Sequence, residues 1–132
     1  MRRVFTLPDA NPMTWAEFDD CVARVIAQLA GRRFNAVVPI LRSGMIPASI
    51  IASKLDITSV IPVQLKYDYA LNDVAVKIPP AVPVDMDCAA AMDILVVECN
   101  TSSGTTARAA LRLLRSVFPK ARFYYATIAR VY

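Results

Sequence analysis

The sequence predicts an α/β fold: a mainly parallel sheet flanked by helices, in one domain covering residues 1–132. Three observations predict it. Short apolar runs, such as Ala36–Leu41 and the Ile94–Val97 stretch of Asp93–Glu98, have the pattern of strands buried on both faces. Segments with helical spacing separate those runs, and the alternation repeats at the interval of βαβ units. Finally, 56% of the residues are apolar, which excludes a disordered chain and supplies a core for one compact domain.

Taken in order, Thr14-Trp15-Ala16-Glu17 reads as a capping box, the Thr14 hydroxyl and the Glu17 carboxylate each satisfying a free amide. Phe18, Cys21, Val22, Val25, Ile26 and Leu29 then recur three and four apart, and Gly31 closes this first helix. Ala36–Leu41 is the first strand, although Pro39 has no amide to give a sheet ladder. A second helix is expected over Ile46–Leu55, with Pro47 in the first turn where its missing amide is harmless. Val60–Leu65 reads as a strand. Lys66–Met92, with Pro79, Pro80 and Pro83 and no clear period, reads as a long loop with room for short strand pieces, a length typical of functional lids. Asp93–Glu98 is the clearest strand; a helix over Thr105–Val117 places Ala109, Leu113 and Val117 on one face, and Arg122–Ala129 is the last strand.

Composition narrows the chemistry. With no histidine there is no Ser-His-Asp or Cys-His nucleophile, no His-ligated zinc and no imidazole proton shuttle. The three glycines, Gly31, Gly44 and Gly104, cannot supply a dinucleotide fingerprint or a Walker loop. Cys21, Cys88 and Cys99 fit neither a disulfide framework nor a CxxC metal site, and read as reduced thiols of a cytoplasmic protein. The basic start Met1-Arg2-Arg3 meets Asp9, Pro12 and Glu17 before a signal core can form, and no apolar run approaches the roughly 18 residues of a bilayer span. No membrane role is expected, and the apolar excess points to a subunit interface in a homo-oligomer. A net charge of +4 with scattered basic residues gives no nucleic-acid stripe, but suits a small anionic ligand.

One segment concentrates the remaining options. Thr101, Ser102, Ser103, Gly104, Thr105 and Thr106 follow the best strand and lead into a helix. Free amides, the positive end of the helix dipole and converging hydroxyls make a cradle for a phosphate dianion; a Ser/Thr-rich helix cap is the simpler alternative. Ligands of open parallel sheets bind beyond the carboxyl ends of the strands, where Glu98 sits. Glu98 could grip sugar hydroxyls, directly or through hydrated Mg2+, or simply end the strand in solvent.

The run Ile94-Leu95-Val96-Val97-Glu98-Cys99-Asn100-Thr101-Ser102-Ser103-Gly104-Thr105-Thr106 resembles the phosphoribosyl-pyrophosphate (PRPP) motif of type I phosphoribosyltransferases. Thr14-Trp15, Leu41-Arg42-Ser43-Gly44-Met45-Ile46-Pro47, Tyr67-Asp68 and Phe118-Pro119-Lys120-Ala121 also resemble, in the same order, segments of the bacterial xanthine-guanine members, so the similarity runs from Thr14 to Arg130. The resemblance implies transfer of ribose 5-phosphate from PRPP to a nucleobase, a purine first, with Mg2+ and release of pyrophosphate. It assigns Thr101–Thr106 to the 5′-phosphate and Glu98 to the ribose hydroxyls and Mg2+. Leu41, Arg42, Ser43 and Gly44 fall on the pyrophosphate loop, with a cis peptide joining Leu41 to Arg42. Lys66 and Tyr67, with Lys77, fall on the lid, and Arg130 on the cation that reads the purine six-position oxygen.

The sequence also departs from that pattern. Cys99 stands where the motif has its second acid, Ser102 where purine enzymes carry an aspartate near N7, and Arg-Ser-Gly replaces Arg-Gly-Gly. The sequence stops at Tyr132, so a reduced or absent hood is expected, with residues 1–13 left to build one. A catalytic reading requires that Glu98, Arg42 and Ser102 suffice, or that Asp68, Asp73 or Asp85 swings in from the lid. The alternative is a non-catalytic relative that binds PRPP or a nucleotide and regulates; a flavodoxin-like fold without phosphate binding is a third option.

Overall fold

The computed structural model describes residues 12–130. The hood expected of residues 1–13 therefore falls, but for Pro12 and Met13, outside the described residues, as do Val131 and Tyr132. Helix α1 spans Trp15–Leu29, strand β1 Ala36–Leu41, helix α2 Met45–Lys54, strand β2 Val63–Asp68, strand β3 Asp73–Ile78, strand β4 Asp93–Thr101, helix α3 Thr105–Val117 and strand β5 Arg122–Arg130. They build one five-stranded sheet in the order β3-β2-β1-β4-β5. Strands β2, β1, β4 and β5 run parallel; β3 returns antiparallel along the edge of β2.

The capping box forms as expected: Thr14 Oγ1 accepts from the Glu17 amide at 3.1 Å, and the Thr14 amide donates to Glu17 Oε2 at 2.8 Å. Side chains alternate across the sheet, and the apolar runs fill both faces. Val37, Leu95, Val97, Ala126 and Ile128 face Phe18 and Val22 of α1 and Ala48, Ile51 and Ala52 of α2. Ala36, Val38, Ile40, Val63, Ile94 and Val96 face Ala110 and Leu114 of α3, with Phe118 beneath. Each fully buried large side chain contributes about 1.5–3 kcal/mol, so β1 and β4, buried from Ala36 to Ile40 and from Ile94 to Val97, anchor the sheet.

Pro39 is tolerated at the centre of the sheet for a local reason. Val37 donates to the Ser59 carbonyl, so alternation turns the Pro39 nitrogen to the same side, toward β2. There the pairing is broken: Val60 makes an isolated bridge to Val37, regular pairing resumes at Ile40 with Val63, and Pro62 occupies the interval. On its other side Pro39 stays in register with Val97. The same gap corrects the expected strand Val60–Leu65, which begins only at Val63.

The first half of the expected loop Lys66–Met92 is a hairpin, and the second half is irregular as expected. Strand β2 continues to Asp68, and β3 pairs back from Asp73 to Ile78. Asp68 Oδ1 accepts from the Ala70 and Leu71 amides at 2.9 and 3.3 Å, Asn72 adopts φ 51°, and the Tyr67 hydroxyl bonds Asn72 Oδ1. These are the Asx-turn and left-handed roles to which Asp and Asn are suited. Irregular chain starts with the prolines after Ile78.

Helix α3 has the expected bounds but a rotated face. Ala107, Ala110 and Leu114 are buried, while Ala109, Leu113 and Val117 pack on the flank of the same cluster. Strand β4 runs three residues past Glu98, because Asn100 and Thr101 find partners in Ala129 and Arg130 of β5. Among the described residues no helix is long and apolar enough to cross a membrane.

Candidate functional site

Two loops meet at the carboxyl edge of the sheet. The first leaves β1 through a cis Leu41–Arg42 peptide, as the resemblance implies, and enters α2 at Met45. Gly44 donates to the Ile40 carbonyl at 3.0 Å, and Met45 to the Arg42 carbonyl at 3.2 Å. A Cβ on Gly44 would stand 2.5 Å from the Ile40 oxygen and 2.6 Å from the Val97 oxygen. Only glycine lets this turn lie on the central strands. Arg42 and Ser43 are exposed above it.

The second loop joins β4 to α3. Gly104, at φ +78°, occupies the N-cap of α3 and makes no side-chain cap bond, and the first turn holds no acid. The helix start thus keeps donors and positive dipole without a carboxylate to neutralise them. Ser103 Oγ and Thr105 Oγ1 hydrogen-bond at 2.8 Å, with Ser102 and Ser103 exposed and Thr105 and Thr106 half-buried. Arg108 folds back onto this loop, donating through Nη1 to the Ser103 carbonyl at 3.1 Å and through Nη2 to Thr105 Oγ1 at 3.5 Å.

Glu98 stands between these loops and β5. The Tyr125 phenol donates to Glu98 Oε2 at 2.5 Å. Burial raises the Glu98 carboxyl above the usual range, and the Tyr125 bond partly opposes the rise. Tyr125 is itself pushed up to about 12, by burial first and then by the bond to Glu98 and its charge, so it stays a donor near neutrality. Cys99 points the other way, into the α1/α2 cluster. Its thiol is raised by burial and by the Glu98 charge, and remains neutral at pH 7. Among the described residues no group of three or more His, Cys, Asp or Glu is arranged to hold a metal ion.

The lid residues are placed at a sheet edge. Lys66, Tyr67 and Lys77 border, with Asp68, Tyr69, Ala70 and Ala75, a cleft of about 320 Å³ in the β2–β3 hairpin. The three lid carboxylates lie elsewhere. Asp68 closes the hairpin turn, Asp73 Oδ1 accepts from the Val74 amide at 2.7 Å, and Asp85 lies with Asn35 and Ser59 below the start of β1. Arg130 ends β5 in register with Thr101, but alternation with Ala126 and Ile128 puts it on the α1/α2 side of the sheet, opposite Glu98. The structure therefore gathers Glu98, Leu41–Gly44 and Thr101–Thr106 at one edge, with the lid hairpin on the far side of β1 and Arg130 on the other face at the end of β5.

Two residues of this edge escaped the sequence analysis. Tyr125 was detectable from strand alternation, since Tyr125 and Thr127 share a face, and Thr127 is the register partner of Glu98. Arg108 was detectable from helical spacing, one turn beyond Gly104.

The family model for the phosphoribosyl transferase domain matches residues 10–131. The chain belongs to the phosphoribosyl transferase family. Solved structures share its fold. A purine phosphoribosyltransferase from Pyrococcus horikoshii Ot3 superposes with a TM-score of 0.75 at 18% identity, covering 89% of this chain and 76% of that one. A xanthine-guanine-hypoxanthine phosphoribosyltransferase from Helicobacter pylori gives 0.69 at 21% identity, covering 86% and 72%. A hypothetical protein from Neisseria gonorrhoeae with bound ppGpp gives 0.64 at 18%, covering 87% and 68%. At these identities the likeness is one of fold.

Proposed function

We propose that this protein transfers ribose 5-phosphate from PRPP to a nucleobase, a purine first, releasing pyrophosphate. The observation that carries the reading is the acid-free start of α3, behind the left-handed Gly104 and on the same strand–helix connection as Glu98, in a chain that the family model matches almost end to end. Thr101–Thr106 and the first amides of α3 would hold the 5′-phosphate. Glu98 would take the ribose hydroxyls, while Arg42 and the amides of Ser43 and Gly44 would face the leaving pyrophosphate as its charge develops. Lys66 and Tyr67, with Lys77, would close from the β2–β3 hairpin and exclude water from an oxocarbenium-like transition state. Arg130 would meet the base, brought around the end of β5.

Mg2+ fits this donor set only as a partner of PRPP: one carboxylate suits an ion that keeps its waters and takes most ligands from phosphate oxygens. Glu98 would hold it, directly or through water. The ion would supply charge for the pyrophosphate oxygens. Transfer by charge stabilisation and positioning does not require Cys99 or Ser102 to be acids. We place the protein in the cytoplasm, and as a homo-oligomer, the latter supported by exposed Trp15 and Ile46 on α1 and α2.

A second reading, a non-catalytic PRPP or nucleotide binder with a regulatory role, is favoured by one feature. Cys99 is a neutral thiol turned away from the edge, Asp68 and Asp73 bond backbone amides of the hairpin, and Asp85 lies below the start of β1, so Glu98 has no acidic companion among them. The nucleotide ppGpp in the Neisseria neighbour shows that a protein of this fold binds such a ligand. Incubation with PRPP, Mg2+ and a panel of purines, pyrimidines and orotate, followed by pyrophosphate release, separates the readings. Release with one base is expected; PRPP binding without release across the panel would select the regulatory reading.

A further inference from the structure

We propose that Tyr125 is the positioning residue for the Glu98 carboxylate, holding Oε2 so that Oε1 is the oxygen offered to the ribose hydroxyls. The inference rests on the transfer reading above and names a residue that neither the PRPP motif nor the two loops contain.

Register makes the contact specific. Val96 is the Cα partner of Tyr125, and Glu98 that of Thr127, so Tyr125 and Glu98 are diagonal neighbours on one face of adjacent parallel strands. The Tyr125 hydroxyl reaches the carboxylate at 2.5 Å, the short separation of a charge-assisted bond. A glutamate side chain on an open part of a sheet face otherwise samples several rotamers, and ordering it on binding weakens affinity. Tyr125 removes that freedom before the ligand arrives.

Cys99 cannot take this part. It is the next residue along β4, so its side chain goes to the opposite face, among Phe18, Val22 and the α2 residues. Of the two positions where the motif carries acids, one has thus joined the core. The remaining acid is steadied from the neighbouring strand instead. Tyr125 is 37% exposed, so its ring borders the site without being a core residue whose truncation would unfold the sheet.

The test is a double-mutant cycle read by calorimetry with PRPP and Mg2+ on the full chain. Tyr125→Phe, which removes only the hydroxyl, is expected to weaken PRPP binding about three- to tenfold, and Glu98→Gln about ten- to a hundredfold. The double variant is expected to bind within about twofold of Glu98→Gln alone, because the phenol acts through the carboxylate. A ligand-free readout accompanies it: the side-chain carboxyl 13C resonance of Glu98, assigned by its loss in Glu98→Gln, should move in Tyr125→Phe and stay in Tyr124→Phe. Independent losses that multiply in the double variant, or an unmoved resonance, overturn the positioning role while leaving the transfer reading intact. A wild-type chain that does not bind PRPP overturns the transfer reading itself, whatever the resonance shows.

Discussion

The two loops at the carboxyl edge both turn on a glycine, but for opposite reasons. Gly44 has φ −64°, a conformation open to any residue, and is glycine because the Ile40 and Val97 carbonyl oxygens leave no room for a Cβ. Gly104 has φ +78° and no backbone against it: a Cβ there would meet only the flexible Arg108 guanidinium, with Nη1 at a tight 3.1 Å. The first loop is shaped by the sheet beneath it. The second is shaped by its own backbone and by the Ser103, Thr105 and Arg108 side chains. A loop welded to the core presents its amides and Arg42 at a fixed height, as a leaving group needs. A loop held by side-chain bonds can re-form them around an entering phosphate.

The same substitution in both loops tests that contrast. Gly44→Ala must displace backbone of β1 or β4, and is expected to lose about 3 kcal/mol or more of stability. Urea denaturation followed by circular dichroism measures it; a loss below 1 kcal/mol, on the order of a tolerated core swap, would mean the turn is free to lift off the strands. The loss should extend to the whole fold, because Val97 belongs to the cluster that joins α1, α2 and the sheet.

Gly104→Ala is expected to lose less, about 1–2 kcal/mol, the cost of a left-handed L-residue. Arg108 can swing aside, so no backbone need shift. Gly31 provides the control: its φ is +82° with nothing within 4 Å of a Cβ, so Gly31→Ala should match Gly104→Ala in urea but leave PRPP binding untouched. If Gly104→Ala also leaves PRPP binding untouched in calorimetry, the loop from Thr101 to Thr106 is a helix connection and not a phosphate cradle.

Much of this edge was legible because its chemistry is local. The hydroxyl cluster, the glycine and Glu98 are contiguous, and the buried runs beside them announce the strands that carry them. The capping box of α1 and the bounds of α3 were legible for the same reason. Three things were not. Pro39 in a central strand depends on Pro62 in a segment 23 residues later, a coincidence of register that no local window contains. The hairpin beyond Lys66 was hidden because β3 is an edge strand with exposed Val76, Lys77 and Ile78, lacking the apolar run of a buried strand. Tyr125 falls inside the strand expected over Arg122–Ala129 with nothing local to single it out; its polar role appears only once β5 is set parallel to β4.

Glu98 itself separates what the fold requires from what the site requires, and the expected effect is the smallest of the series. Its carboxyl titrates above the ordinary value because burial outweighs the Tyr125 bond, so over that interval the folded chain keeps a proton that the unfolded chain has released. Stability therefore falls as pH rises through the interval, and the deficit persists above it. Glu98→Gln removes the buried charge but keeps an oxygen for the Tyr125 hydroxyl. It should stabilise the ligand-free chain at pH 7.5 by about 0.5 kcal/mol, small because the group is partly solvated and screened. The gain should vanish near pH 4, where the wild-type carboxyl is already protonated. Thermal midpoints of both chains across pH 4–8 report it. A wild-type chain that is the more stable of the two at pH 7.5 would show Glu98 to be a structural acid, held by the fold for its own sake, whereas the reverse marks a residue kept charged at the expense of the fold for what it binds.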